Sequence, residues 1–237
     1  MIGVQDLNPT KRKALIQVLG AITYGELKAY DGASEQARLS SNDADRKTYR
    51  KIAAEELRHH KGFSRRLEAL GADVQRAMRP YKESLDSFHS KGTDDPVAEA
   101  VAGFLGEGIA ADMLGWLKKV ADTETAEFIE TVIADEVGHE AIASARLRSL
   151  LEAEPGGRRR AEVGIRQMLL RMLGAGGSRG TSSLTSFGAF LQLGHPTDLV
   201  GSLVAGMARR VRELGISPVA PLLPVSVPLI GRRFGLS

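Results

Sequence analysis

AAEELRHHKGF, at residues 53–63, is one of two segments that decide how this chain folds, and the other is ADEVGHEAI, at residues 134–142. Each segment holds a glutamate followed three residues later by a histidine, Glu56 with His59 and Glu136 with His139. Residues three apart lie on one face of an α-helix, so each pair can reach a single point beside its helix. The apolar residues around each pair recur at steps of three and four, which places the same face against a core.

A lone glutamate precedes each pair by almost the same distance. Glu26 comes 30 residues before Glu56, and Glu107 comes 29 residues before Glu136. Both lie on apolar rows of their own, and the two halves read as an internal repeat offset by about 80 residues. Four acids and two histidines are therefore expected to point inward, where an ionised side chain is costly unless it is paired or bound to a metal.

Turn signals lie midway between the paired glutamates. Residue 41, inside Ser40–Asn42, is the midpoint of the first pair, and the midpoint of the second falls beside Asp122. Capping residues at these positions predict two helical hairpins that bring their glutamates to equal height. One Glu from each of two helices, with Glu-x-x-His from each of the other two, is the ligand pattern of ferritin-like di-iron and di-manganese proteins.

The sequence thus predicts an all-α, ferritin-like four-helix bundle with a site for two metal ions. The cofactors expected are two iron ions, with manganese as the other metal that hard oxygen and imidazole ligands suit. Two metals about 3.5–4 Å apart can bind dioxygen together. Glu56 and Glu136 are the candidate bridging ligands. The remaining four are terminal, namely Glu26, Glu107, His59 and His139.

Four further residues are candidates for the surroundings of the metals. Glu55 and Asp135 each precede a ligand glutamate, and each is a candidate acceptor for the free N–H of a ligand histidine or else a surface acid. Tyr24 and Tyr30 flank Glu26 and line an oxygen pocket or fill core space. His60 and His195 are taken as non-ligands.

The composition favours a helical protein that lacks thiol chemistry. The 237 residues are 43% hydrophobic and only 5% aromatic, and they include no cysteine. Disulfides, thiolate-bound zinc and an iron–sulfur or rubredoxin-type carrier within this chain are therefore excluded. Electrons for dioxygen chemistry would come from an external donor such as a ferredoxin or a flavin reductase. No apolar leader or membrane span stands out, so a cytoplasmic protein without membrane contact is expected.

The chain is expected to have two parts, a ferritin-like bundle at 1–175 and a C-terminal extension at 176–237. Within the bundle a long crossover at 71–94, with one short amphipathic piece, joins the second and third long helices. The predicted helices are 9–40, 43–70, 96–120, 123–153 and 158–174, and in the extension 184–193 and 197–214. GAGGSRGTSS, at 174–183, is typical of a linker, and the four prolines of 218–237 predict an extended arm.

The net charge changes at Pro155-Gly156-Gly157, where the sequence predicts a break. Residues 1–153 have a net charge of −4, whereas residues 154–237 have +7. The basic side chains form a solvated helix face or contact phosphates, for example those of a tRNA. They are Arg158, Arg159, Arg160, Arg209, Arg210, Arg212, Arg232 and Arg233. The apolar arm is expected to pack on its own bundle, on a homodimer mate or on a separate protein partner.

Several stretches resemble one known family. AITYGELKAY, AAEELRHHKGF, RAMRPYKESLDSFH, FLGEGIAADML and ADEVGH are similar to the actinobacterial branch of the MiaE-like proteins, ferritin-like relatives of a tRNA 2-methylthio-N6-isopentenyladenosine hydroxylase. The similarity covers roughly residues 10–175. It implies a di-iron centre on the same six ligands and hydroxylation of a modified tRNA base, and the Gly/Pro-rich tail is unlike the family.

Three functions remain open at this stage. The leading hypothesis is a di-iron hydroxylase or monooxygenase that activates dioxygen against an organic substrate. The second is a ferroxidase or a peroxide-detoxifying protein of the rubrerythrin or ferritin kind. The third is a scaffold or cargo protein whose C-terminal arm docks on a partner.

Overall fold

The computed structural model describes residues 3–90, 93–172, 188–189 and 192–216, and these ranges are helical without any β-strand. The prediction of an all-α chain is confirmed. The α-helices of the described residues are α1 (Pro9–Leu39), α2 (Asp43–Ala69), α3 (Val74–Met78), α4 (Lys82–Ser90), α5 (Pro96–Val120), α6 (Thr123–Ala153), α7 (Gly157–Met172) and α8 (Pro196–Glu213). Apart from the short α3 and α4, they match the predicted helices to within about two residues at each end.

Capping residues set the helix limits where the sequence placed them. The Asn8 side chain accepts a hydrogen bond from the Lys11 N–H at the start of α1, and Pro9 takes the first helical position. Asn42 does the same for α2 by accepting from the Asp45 N–H. Asp122 accepts from the Thr125 N–H at the start of α6. Both predicted hairpin turns therefore lie at the expected residues.

The crossover after α2 is more helical than predicted, since α3 and α4 occupy most of it. Gly71 begins it in the left-handed region, with a φ of 76°. The backbone of α3 approaches α1 so closely that a Cβ on Gly20 would lie 2.4 Å from the carbonyl oxygen of Ala77. Tyr24 donates a hydrogen bond of 2.7 Å to Asp86 and so ties α4 to α1.

The described residues fall into two compact units, and the first draws on residues 1–91, 114–135 and 179–198. Its core is the α1–α2 hairpin with the first part of α6. A Cβ on Gly62 would lie 1.9 Å from the ring of Phe128, which also meets the Phe63 ring edge-on at 4.9 Å. Because of this close approach to Phe128, position 62 requires glycine. Arg66 of α2 also binds Asp122 at 2.8 Å.

The second unit draws on residues 92–113, 136–178 and 199–237. Its apolar core joins the first half of α5, the second half of α6, α7 and α8. Asp95 caps α5 by accepting from the Val97 N–H, and it also binds the Arg160 guanidinium of α7. The most buried members of this core are Val97, Val101, Phe104, Leu105, Leu147, Ala161 and Ile165.

The linker at 174–183, most of the predicted helix at 184–193 and the arm at 218–237 lie outside the described residues. Within the described ranges, no helix combines the length and the apolar character that crossing a bilayer requires.

Candidate metal centre

Three of the predicted ligands meet in the first unit. Glu26 of α1 and Glu56 and His59 of α2 each offer a ligand atom, and these atoms lie within 4.8 Å of one another. Nδ1 of His59 is 3.6 Å from the Glu26 carboxylate and 3.5 Å from the Glu56 carboxylate. Glu56 and His59 are each only 1% exposed. The imidazole therefore presents Nδ1 to two carboxylates inside the core.

The other ring nitrogen of His59 contacts Asp135. The Nε2 atom lies 2.9 Å from the Asp135 carboxylate, which also accepts from Arg58. Burial alone would raise the pKa of Asp135, but its hydrogen bonds with His59 and Arg58 lower it below the usual range. Burial likewise opposes the charged form of His59, yet the bonds with Glu26, Glu56 and Asp135 outweigh it and raise the pKa of His59 to about 10.

Three more predicted ligands meet in the second unit. Glu107 of α5 and Glu136 and His139 of α6 offer ligand atoms that also lie within 4.8 Å of one another. Nδ1 of His139 is 3.8 Å from the Glu136 carboxylate, so it too faces its cluster. Glu136 is 2% exposed and His139 is 3% exposed, while Glu107 is half-buried. This cluster repeats the composition of the first one.

Both clusters have the chemistry that an iron or manganese ion requires. Each gathers two carboxylates and one imidazole in a buried or half-buried position, and two anions held this close need a cation to offset their repulsion. Carboxylate oxygen with imidazole nitrogen is a donor set that suits these metals, and no thiolate is present to favour a softer one. The residues therefore fit one metal ion per cluster.

Helical spacing explains why the clusters form. Glu56 and His59 occupy the stripe that also carries Ile52 and Phe63, both buried. Glu136 and His139 continue the stripe of Ile129 and Val132, which are 0% exposed. Glu26 and Glu107 replace apolar residues on the core-facing rows of α1 and α5. The apolar neighbours bury these faces, and the ligands are buried with them.

The remaining predicted neighbours have other contacts. Glu55 accepts a hydrogen bond of 2.6 Å from Lys51, one turn earlier on α2. Tyr24 is buried, and burial together with its hydrogen bond to Asp86 raises its pKa to about 12.

Neither of the two predicted non-ligand histidines, His60 and His195, belongs to the clusters. Nδ1 of His60 is 2.8 Å from the Thr23 carbonyl oxygen, to which it donates. His195 is exposed, and its Nδ1 lies 2.7 Å from the Thr197 hydroxyl.

A cavity of about 610 Å³ opens between α1 and α2. Tyr30 lies one turn after Glu26, and Ala53 comes three residues before Glu56, so the cavity begins within about one turn of both ligands. Its other lining residues are Ser34, Ala37, Arg38, Arg46, Arg50, Ala54 and Leu57.

Sequence reasoning missed a charged cluster in the second unit. The sequence predicts that Arg210 faces solvent or contacts phosphates, but it is 1% exposed and binds Asp112 and Glu140. Its acidic partners are 98 and 70 residues away in sequence. No local pattern identifies such a pairing, because the partners belong to different helices.

Comparisons with known proteins agree with this architecture. The sequence profile of a family described as "Ferritin-like domain, actinomycetes" matches residues 9–176. Among solved structures, the chain is similar to "Protein 19 with aldehyde deformylating oxidase activity" from Synechococcus, with a TM-score of 0.73 and 20% identity over 90% of this chain and 95% of that one. No curated protein matches the sequence. The predicted ferritin-like fold is thereby confirmed.

Proposed function

The chain belongs to the family of ferritin-like domains of actinomycetes, and on that premise we propose that it is a di-iron enzyme that activates dioxygen to hydroxylate an organic substrate. In this proposal Glu26, Glu56 and His59 would hold one ion. Glu107, Glu136 and His139 would hold the other.

Within the first unit, the packing of α2 against the first part of α6 supports a metal site. The two helices run antiparallel there, as three contacts show, namely Arg66 with Asp122, Phe63 with Phe128, and His59 with Asp135. The last of these contacts orients His59 in the first cluster. The observation that carries the proposal is the pair of Glu₂His clusters, one in each unit.

The chain's own groups prepare the imidazole of His59 for a metal. Asp135 accepts the proton on Nε2 of His59, which fixes the tautomer and leaves Nδ1 directed at Glu26 and Glu56. Burial excludes bulk water from the cluster. When bound, two ferrous ions supply electrons and coordination positions for the reduction of dioxygen.

The cavity between α1 and α2 supports the proposal that the substrate is an organic molecule. Ala37, Ala53 and Leu57 give it an apolar lining, while three arginines lie toward the hairpin turn. A ferroxidase needs no such space beside its ligands, whereas a hydroxylase must hold a substrate there. We therefore favour the oxygenase over the ferroxidase and over a scaffold without chemistry.

The proposal also names classes of substrate and of electron donor. The resemblance to MiaE-like proteins supports a modified tRNA base, and the aldehyde deformylating oxidase activity of the Synechococcus protein makes an aldehyde a second class to test. With no cysteine in the chain, the electrons come from a separate ferredoxin or flavin reductase. Iron is the proposed metal, and manganese is the alternative to compare.

One experiment separates the candidate functions. Ferrous protein is mixed with dioxygen, and absorption spectra and iron content are followed with and without reductant, tRNA or a long-chain aldehyde. We expect a stable site of two ferric ions per chain that turns over only with reductant and substrate. Growth of an iron mineral, or consumption of peroxide without any organic substrate, would replace the oxygenase with the second function. A protein that retains no iron would leave only the scaffold.

A further inference from the structure

Arg210 is a charged side chain with only 1% of its surface exposed. It belongs to α8, which begins at Pro196 and so lies beyond the family match at residues 9–176. Burying an arginine is costly unless it is paired and hydrogen-bonded. The cost of burying Arg210 must therefore be offset by the acidic side chains that bind it.

The guanidinium of Arg210 joins two helices of the second unit. Its Nε and Nη2 atoms each donate to the Glu140 carboxylate of α6 at 2.9 Å. Its Nη1 donates to Asp112 of α5 at 2.6 Å, and Nη2 also donates to that carboxylate at 3.3 Å. Paired N–H donors in a rigid plane fix both distance and orientation, which a single charge does not.

Two glycines make room for this side chain. A Cβ on Gly108 of α5 would lie 1.9 Å from Nε of Arg210. A Cβ on Gly206 of α8 would lie 1.9 Å from the Asp112 carboxylate and 2.6 Å from Nη1 of Arg210. Each of the two helices thus carries a glycine at the point where this cluster fills the space between them.

The arginine contacts the turns that carry the second metal cluster. Glu140 directly follows His139 and comes one turn after Glu136 on α6. Gly108 directly follows Glu107 on α5. One guanidinium therefore connects the α5 turn of one ligand to the α6 turn of the other two.

We propose that Arg210 is a positioning residue for the ion bound by Glu107, Glu136 and His139, so that α8 forms part of the metal centre. This inference rests on the proposed function, because it assumes that the cluster binds a metal. Ligands must be held to within about half an ångström for tight binding, and the residues that hold them contribute strongly to affinity. Among the described residues, the acids that bind Arg210 belong to the second unit, so its loss should affect one ion and not both.

The test is a titration of the metal-free full-length protein with manganese(II), followed by calorimetry and by the electron paramagnetic resonance of free manganese. Wild type is compared with Arg210→Met. A second variant, Arg210→Met with Asp112→Asn and Glu140→Gln, removes all the charges together and leaves no buried ion unpaired, which protects the test against misfolding.

Two matched controls accompany these variants. Arg209→Met makes the same change on the neighbouring residue, whose side chain is 58% exposed. Arg160→Met removes an arginine that binds Asp95 and Glu154 in the same unit, and neither of these acids adjoins a candidate ligand in the sequence. A general loss of stability in the second unit would show itself in the latter variant.

We expect wild type and both controls to bind two manganese ions. The two Arg210 variants should bind one ion as wild type does and the other about 10- to 100-fold more weakly. Two ions of wild-type affinity in both Arg210 variants would overturn this inference alone, as would an equal loss in Arg160→Met. A wild-type protein that binds no manganese or iron would instead overturn the proposed function, and the inference with it.

Discussion

Nε2 of His59 lies 2.9 Å from the carboxylate of Asp135, although the two residues are 76 positions apart in sequence. The contact joins α2 to α6 and fixes which nitrogen of the imidazole faces Glu26 and Glu56. It therefore links the packing of two helices to the chemistry of the ligand cluster.

Removing a ligand should remove metal without removing the fold. Glu56→Ala and His139→Ala are each expected to reduce the metal content below two ions per chain, because each loses a donor at a buried cluster. Helical content by circular dichroism should stay close to wild type, since the apolar stripes remain. The controls are Glu68→Ala and His195→Ala, both at exposed positions. Elemental analysis that finds two ions per chain in both ligand variants would show the assignment to be wrong.

Asp135 should tune the affinity of the first cluster. Asp135→Ala leaves Nε2 of His59 without its carboxylate, so metal affinity is expected to fall about 10- to 100-fold. Asp135→Asn keeps an oxygen acceptor but not the charge and should lose less. Titration of the metal-free protein with manganese(II) measures both, with Glu152→Ala, an exposed acid on the same helix, as the control. Equal affinity in Asp135→Ala and wild type would contradict this role.

Metal binding should release a proton from His59. In the metal-free protein, burial opposes the charged ring, but hydrogen bonds with carboxylates outweigh it and raise the pKa of His59 to about 10, so the imidazole is protonated at neutral pH. A metal takes the deprotonated ring, and its apparent affinity is therefore expected to increase as pH rises from about 7 toward 10. Calorimetry in buffers of different ionisation enthalpy counts the protons released. Affinity that is independent of pH would rule this linkage out.

Asp95, which caps α5, should make the stability of the protein depend on pH. The hydrogen bond from Arg160 is the main cause that lowers the pKa of Asp95 below its usual value of 3.8, with backbone N–H groups adding to it. A carboxyl whose pKa is lowered on folding stabilises the protein above the unfolded value and loses that contribution as pH falls through the folded one. Asp95→Asn should therefore lower Tm at pH 7, with a difference that shrinks below about pH 4.

The matched control for that measurement is Asp73→Asn. Asp73 caps α3 through the Arg76 N–H, but it is exposed and has no arginine side chain bound to it among its described contacts. Its substitution should change Tm less at pH 7. A Tm difference for Asp95→Asn that stays constant from pH 7 to pH 3 would contradict the ion pair's contribution.

The cavity between α1 and α2 should matter for turnover and not for metal. Ala54→Trp places a large ring at its rim, from an exposed position that tolerates the added volume. We expect substrate turnover to fall while the iron content stays unchanged, because no ligand is touched. Ala44→Trp, also exposed on α2 but outside the cavity lining, is the control. An unchanged KM and kcat in Ala54→Trp would place the substrate elsewhere.

Much of the candidate site was predictable because it depends on local rules. Glu56 and His59 share a helix face through their spacing alone. Asn42 sets the start of that helix by accepting a hydrogen bond from the N–H of Asp45, three residues later. The choice between Glu55 and Asp135 as a histidine's partner was not predictable. Both precede a ligand glutamate, yet Asp135 contacts His59 while Glu55 binds Lys51.

The sequence by itself determined the long helices, their limits and the inward direction of six candidate ligands, because periodicity and capping act over a few residues. Only the tertiary structure decided that Asp135 forms a hydrogen bond with His59 and that Arg210 lies between Asp112 and Glu140. These pairings depend on the register of helices separated by tens of residues, and on the space left by glycines such as Gly108. Spacing along one helix carries no information about the residue opposite it on another.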